Sequence, residues 1–294
     1  INLIRYWQKL MKKQNRRGFI ISGYFLSLSA LFLNALDLLN VFKNSHLKLS
    51  EKRITVSKFK SVIKNDHLQH AGLEFEPAYL ALHRSGELKQ RGEELWEKMR
   101  ECSLCPRECG AKRLTGERGF CQANDKLEIA AYHPHHGEEK PLRGSGGSGT
   151  IFLSNCNLRC VFCINWEISQ GGQGNRHSPD SMARMMLHLQ KTGCHNINIV
   201  TPTHYSPHIL KALDIACSKG LRLPLVYNTC GWERVEVMKK LDGIVDIYLP
   251  DFKYADKEMA GKYSSKAYSY PEATKKAILE MHRQVGIARP AADG

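Results

Sequence analysis

From residue 150 to about residue 250 the chain alternates two kinds of segment, and this alternation constrains the fold more than any other feature. Short continuous apolar runs at 150–154, 197–200, 223–228 and 244–249 read as strands buried on both faces, the kind found in parallel sheets. Between them, 179–192, 207–219 and 232–241 read as helices. Ser178-Pro179 and Ser206-Pro207 each supply a hydroxyl cap followed by a proline in the first turn, and Gly193, Gly220 and Gly243 close the corresponding helices or turns. Repeated strand–helix units predict an α/β fold built on a parallel barrel. A further helix begins near Pro271, and only residues 286–294 follow it, so the barrel is expected to be truncated at its C-terminus.

The chain holds ten cysteines, and seven of them fall into two tight groups whose spacing fits metal binding better than a disulfide framework. The first apolar run leads directly into Cys156-Asn157-Leu158-Arg159-Cys160-Val161-Phe162-Cys163, a C-x3-C-x2-C triplet. Three thiolates on one short loop can hold three irons of a [4Fe-4S] cube and leave the fourth iron open to a small molecule. Zinc instead favours four ligands in paired C-x2-C hooks. The second group is Cys102, Cys105, Cys109 and Cys121, with glycine turns at Gly116 and Gly119 before its last member. Four thiolates make a closed site with no position left for substrate, so this group is structural or electron-carrying; zinc and an auxiliary [4Fe-4S] cluster both fit, and thiols without metal are the plain alternative. Cys194, Cys217 and Cys230 stand alone and read as small buried hydrophobes.

With Phe162 directly before its last cysteine, the triplet resembles the signature of the radical S-adenosylmethionine (SAM) superfamily. The resemblance covers about residues 100–285. It points to the pyruvate formate-lyase activating enzyme-like subgroup, with the four-cysteine module placed ahead of the motif. It implies a partial (βα)6 barrel and a [4Fe-4S] cluster on Cys156, Cys160 and Cys163, whose open iron chelates SAM. It further implies one-electron cleavage of SAM to a 5′-deoxyadenosyl radical that abstracts hydrogen. The implied partners are an electron donor of the flavodoxin or ferredoxin type and a glycyl-radical enzyme or other protein substrate. A non-catalytic iron-sulfur electron-transfer protein and an inactive truncated homologue are the rival readings.

In parallel βα folds the ligand lies at the carboxyl ends of the strands. Here the first strand leads to Phe162 and Asn165. The second ends in Thr201-Pro202-Thr203-His204, where many superfamily members carry a Gly-Gly-Glu motif that contacts the SAM amino group. Thr201, Thr203 and His204 can hydrogen-bond an ammonium but lack the carboxylate charge. The third ends at Tyr227-Asn228-Thr229, where Asn228 suits ribose hydroxyls or the SAM carboxylate. The fourth ends in Asp251-Phe252-Lys253, which resembles an Asp-x-Lys motif of pyruvate formate-lyase activating enzymes; Asp251 is expected to meet a cation or the sulfonium, and Lys253 a carboxylate or peptide. The histidine-rich stretch 131–139 reads as a loop joining the cysteine module to the first strand.

The formal charge of +14 is concentrated at one end: residues 1–70 contain thirteen Lys and Arg against Asp37, Glu51 and Asp66. The rest carries no basic stripe with interleaved aromatics, so nucleic acid is not an expected partner. Within the basic head, the uncharged run 18–36 approaches the ~20 residues that span a bilayer. It follows Arg16-Arg17, which resembles a twin-arginine export signal. The expected organisation is therefore a targeting or anchor segment at 1–50, a linker, helix (77–100) and cysteine module at 51–149, and the barrel at 150–294. SAM and low-potential electrons are cytoplasmic supplies, so a cytoplasmic protein, with or without a membrane anchor, is expected, with twin-arginine export as the alternative.

Overall fold

The structure is a computed structural model that describes residues 75–287, all within one compact unit beginning at Glu74. The run 18–36 and the twin-arginine pair lie outside the described residues. Among the described residues no helix is long and apolar enough to cross a membrane.

The described chain opens with α1 (Tyr79–Ser85) and α2 (Glu87–Glu97). The single helix expected over 77–100 is broken at Gly86, whose φ of 80° puts it in the left-handed region that ends helices and favours glycine. After the cysteine module come β1 (Leu127–His135), α3 (Lys140–Arg143), β2 (Ser148–Leu153), α4 (Trp166–Ser169) and β3 (Asn175–His177). Helices and strands then alternate through α5 (Pro179–Lys191), β4 (Ile197–Val200), α6 (Ser206–Ser218), β5 (Leu225–Thr229), α7 (Val235–Lys239) and β6 (Ile247–Pro250), followed by α8 (Lys257–Tyr263) and α9 (Tyr270–Val285).

All six strands form one sheet in the order β3-β1-β2-β4-β5-β6. Strands β2, β4, β5 and β6 run parallel, while β1 is antiparallel to both β2 and β3. The fold is thus α/β with a mixed sheet. The antiparallel edge corrects the reading of 131–139 as a loop: Ala131–His135 extends alongside Ser148–Phe152, with Pro134 opposite Gly149. β3 pairs only with Leu127–Ile129, so the outer edge of β1 is open at Pro134 and tolerates a residue without an N–H.

Local chemistry sets the helix starts. The Ser178 hydroxyl accepts a hydrogen bond from the Ser181 amide at 3.1 Å, capping α5 as expected. At α6 the N-cap is Tyr205, and Ser206 lies inside the helix with its hydroxyl buried and unpartnered. The segment expected as a helix over 232–241 starts only at Val235, because Gly231 turns at a φ of 77° and is pressed against β6: a Cβ there would lie 2.5 Å from the Asp251 carbonyl oxygen.

The main core is the interface of α5 and α6 with the sheet, where Met182, Met186, Leu189, Leu210 and Leu213 meet Ile151, Ile197 and Ile199, all buried. Each such side chain contributes about 1.5–3 kcal/mol relative to exposure. A second, smaller cluster lies beneath the triplet loop and contains Leu158, Trp232, Tyr254 and Tyr270 together with Cys156, Cys160 and Cys230. This second cluster fixes the floor on which the cysteine loop rests.

Candidate active site

The loop after β2 is shaped by its backbone. Asn155 and Arg159 adopt φ values of 72° and 55°, so both turns bracketing Cys156 are left-handed without glycine. Asn155 suits that conformation and is tied down by its side chain, which donates to Glu128 Oε2 at 2.7 Å. Asn157 donates to the Trp232 carbonyl at 3.2 Å, Gln170 donates to the Cys160 carbonyl at 2.7 Å, and the Val161 amide donates to the Tyr263 carbonyl at 2.9 Å. Every turn of the loop is therefore anchored to a different part of the fold.

Cys156, Cys160 and Cys163 open onto one cavity of about 380 Å³. The carboxyl ends of the parallel strands supply its next wall, with Thr201, Asn228, Asp251 and Lys253, and Phe162 and Asn165 also line it. Cys156 and Cys160 are buried and Cys163 half-buried. Ser169 donates to Cys163 Sγ at 3.2 Å, and the Leu158 amide donates to Cys156 Sγ at 3.4 Å. Hydrogen bonding from Cys230 lowers the Cys156 thiol pKa, against the opposing pull of burial, and raises that of Cys230, so the negative charge of this pair rests on Cys156.

Lys253 Nζ donates to Asp251 Oδ2 at 2.6 Å. Burial works to lower the pKa of this ammonium, but Asp251 and the nearby thiols of Cys230 and Cys160 outweigh it, and the net shift is upward. A fixed cation therefore stands beside the thiols. Its segment is held by Tyr270, whose oxygen accepts from the Lys253 amide at 2.7 Å and whose hydroxyl lies 2.8 Å from the Cys230 carbonyl and 2.9 Å from that of Asp251.

Two residues expected at the cavity do not line it. Thr201 turns the chain at a φ of 61°, and this carries Thr203 and His204 behind the strand end, where both are buried. Thr203 donates to Glu233 Oε1 at 2.6 Å. His204 Nε2 lies 2.8 Å from the Ser154 carbonyl, and burial lowers its pKa to about 3, leaving it neutral. Conversely, Cys230, expected as an inert core residue, lines the cavity with His135 and Glu138. Position was the available signal for Cys230, which directly follows the strand-end Thr229. His135 and Glu138 reach the cavity because β1 is a strand rather than a loop, and Glu138 Oε2 is held by Asn198 Nδ2 at 2.8 Å.

Glu233 gave no sequence signal. Its Oε1 also accepts from Thr229 at 2.5 Å, while Oε2 is buried without a partner. Burial raises its pKa to about 7, against the lowering effect of the threonine hydroxyls.

The four-cysteine module packs beside this loop. Cys102, Cys105 and Cys121 are buried and Cys109 is exposed. A hydrogen bond between Cys102 and Cys109 lowers the Cys109 pKa and raises that of Cys102. A Cβ on Gly119 would lie 3.4 Å from Cys109 Sγ and 3.6 Å from Cys121 Sγ, so the glycine lets these two thiols approach the same point. Among the described residues no three His, Cys, Asp or Glu side chains are converged tightly enough to hold an ion as placed. In donor chemistry, three thiols facing one cavity suit a cluster with an open iron, and a group of four cysteines offers the donor count of a coordinatively complete metal.

Residues 150–288 match the family model of the Radical SAM superfamily. This stretch is a radical SAM domain. The match begins within β2, so it takes in the triplet loop and β3 but not β1. Two curated relatives come from Methanocaldococcus jannaschii, and both are named as uncharacterized proteins. MJ0674 is 34% identical over 199 residues, covering 65% of this chain and 56% of the relative. MJ0808 is 33% identical over 157 residues, covering 48% of this chain and 46% of the relative. The chain thus spans about half the length of the curated relatives it matches. No solved structure matches.

Proposed function

We propose that this radical SAM iron-sulfur protein reductively cleaves S-adenosylmethionine and uses the resulting 5′-deoxyadenosyl radical to abstract hydrogen from a glycine of a partner glycyl-radical enzyme. The observation that carries this reading is the single cavity shared by the three thiols of the triplet and the polar ends of three parallel strands. Cys156, Cys160 and Cys163 would hold a [4Fe-4S] cluster, which supplies the electron and the open coordination site when bound. Lys253 offers a cation to the SAM carboxylate. Asn228 and Thr201 offer hydrogen bonds to the carboxylate or ribose, and Asp251 offers charge to the sulfonium side or a bound cation. The sheet would belong to a partial (βα)6 barrel of the activating-enzyme-like kind. A flavodoxin or ferredoxin in the cytoplasm would supply the electron, and the four-cysteine module would carry zinc or a second [4Fe-4S] cluster.

The test is anaerobic reconstitution with iron and sulfide, followed by dithionite and SAM and chromatography for 5′-deoxyadenosine. Turnover well above a Cys160→Ala control is expected. A protein with its full cluster complement and no such turnover would be an electron carrier or an inactive homologue instead.

A further inference from the structure

Two arginines lie within the four-cysteine module, and neither has a carboxylate partner among the described residues. Arg113 is fully buried; its Nη1 points at Cys102 Sγ, 3.7 Å away, and its other nitrogens donate to the Asn124 carbonyl at 3.2 and 2.9 Å. Arg107 lies within the module itself, between Cys105 and Cys109. Its guanidinium is layered between Phe120, at 3.9 Å from the ring centroid, and Trp232, at 4.6 Å. A guanidinium stays protonated, and an uncompensated buried charge costs several kcal/mol, so Arg113 calls for nearby negative charge, while the half-buried Arg107 adds a second cation at the module. The neighbouring acidic groups are the thiols. A divalent zinc ion on four thiolates carries a net charge of −2, as does an oxidised [4Fe-4S] cluster on four thiolates, and either would balance both arginines.

Arg107 also reaches beyond the module. Its Nε donates to the Asn157 carbonyl at 3.1 Å, next to Cys156, while Nη1 and Nη2 donate to the carbonyls of Ser265 and Ser264 at 2.5 and 2.9 Å. The turn it grips is the one that holds the triplet loop from the other side, since the Val161 amide donates to the Tyr263 carbonyl at 2.9 Å. One side chain therefore fastens the module to both supports of the triplet.

We infer that Arg107 is a positioning residue through which loading of the four-cysteine module with the metal proposed above fixes the triplet loop. This deepens the proposed function by making one cysteine group regulate the other. Its test does not depend on the triplet holding a cluster.

The experiment uses the full chain carrying Cys156→Ser, Cys160→Ser and Cys163→Ser, so that only the module can bind metal. Elemental analysis is expected to find about one zinc or about four irons per chain, and the two results separate the two metals. Less than about a tenth of an equivalent of either metal, after purification and after reconstitution, would overturn the metal assignment. Hydrogen exchange of the peptide spanning 155–163 is then compared in loaded and chelator-stripped protein. Loading is expected to slow its exchange by about tenfold or more. Arg107→Ala should keep the metal and lose the slowing, and Arg107→Lys should recover part of it. Equal exchange in loaded and stripped protein, or an Arg107→Ala variant that responds fully, would overturn the coupling. If Arg107→Ala does not fold, Arg107→Lys decides: an unchanged response refutes the strut and a reduced one supports it.

Discussion

The two cysteine groups sit side by side but solve opposite problems. The triplet is spread along a loop whose thiols face a cavity, and its neighbours are strand-end side chains from elsewhere in the chain. The module brings Cys109 and Cys121 to Gly119, pairs Cys102 with Cys109, and sets Cys102 against a buried arginine. An open site needs a rigid external frame, because nothing inside the loop fixes the positions of the thiols. A closed site carries its frame within itself and depends on local charge balance. Substitutions should separate the two accordingly.

The largest expected effect is at the open site. Cys160→Ala should reduce 5′-deoxyadenosine formation by about 100-fold or more while leaving metal at the module unchanged; loss of both together would deny that the sites are distinct. Next, Arg113→Met should destabilise the fold by about 3–5 kcal/mol, read from the denaturant midpoint, because it strips the Asn124 carbonyl and the module thiols of their cation. A change under about 1 kcal/mol would show that the module does not need that charge.

Glu233 tests the frame of the open site through pH. Its folded pKa of about 7 lies above its ordinary value of 4.5, so the folded state binds more protons and wild-type stability should fall as pH rises from about 4.5 to 7, then level off. Glu233→Gln should lack this slope, diverging from wild type by up to about 3 kcal/mol at pH 8. Parallel stability profiles for the two proteins would rule out a buried proton there. Smallest is Tyr270→Phe, expected to cost about 1 kcal/mol and to weaken SAM binding a few-fold by loosening the Asp251–Lys253 segment, with module metal content unaffected. Calorimetric titration would measure it, and an unchanged affinity would detach Tyr270 from the site.

What was legible in the sequence followed the range of the interactions. The strand at 197–200 was placed correctly because a fully buried parallel strand reads as an uninterrupted apolar run. β1 reads as a loop in the sequence because its histidines and proline imitate one, and only pairing with β2 and β3 makes it extended. The cysteine spacings were visible as local patterns. By contrast, Thr203 and His204 read as cavity residues from their place after a strand end and their hydrogen-bonding chemistry, and the left-handed turn at Thr201 sends them elsewhere. Arg107 holds carbonyls 50 or more residues away, and Glu233 joins nearby Thr229 to distant Thr203, contacts that no local pattern discloses.

Thr201 also divides two kinds of success. A β-branched residue at a φ of 61° is costly, on the order of 1–3 kcal/mol, yet its position lines the cavity. Selection for a sturdier protein would accept glycine there at once, whereas selection for chemistry would keep the hydroxyl. Variant libraries screened separately for heat resistance and for turnover would therefore diverge at this residue, and the size of the divergence would measure what the strained turn is for.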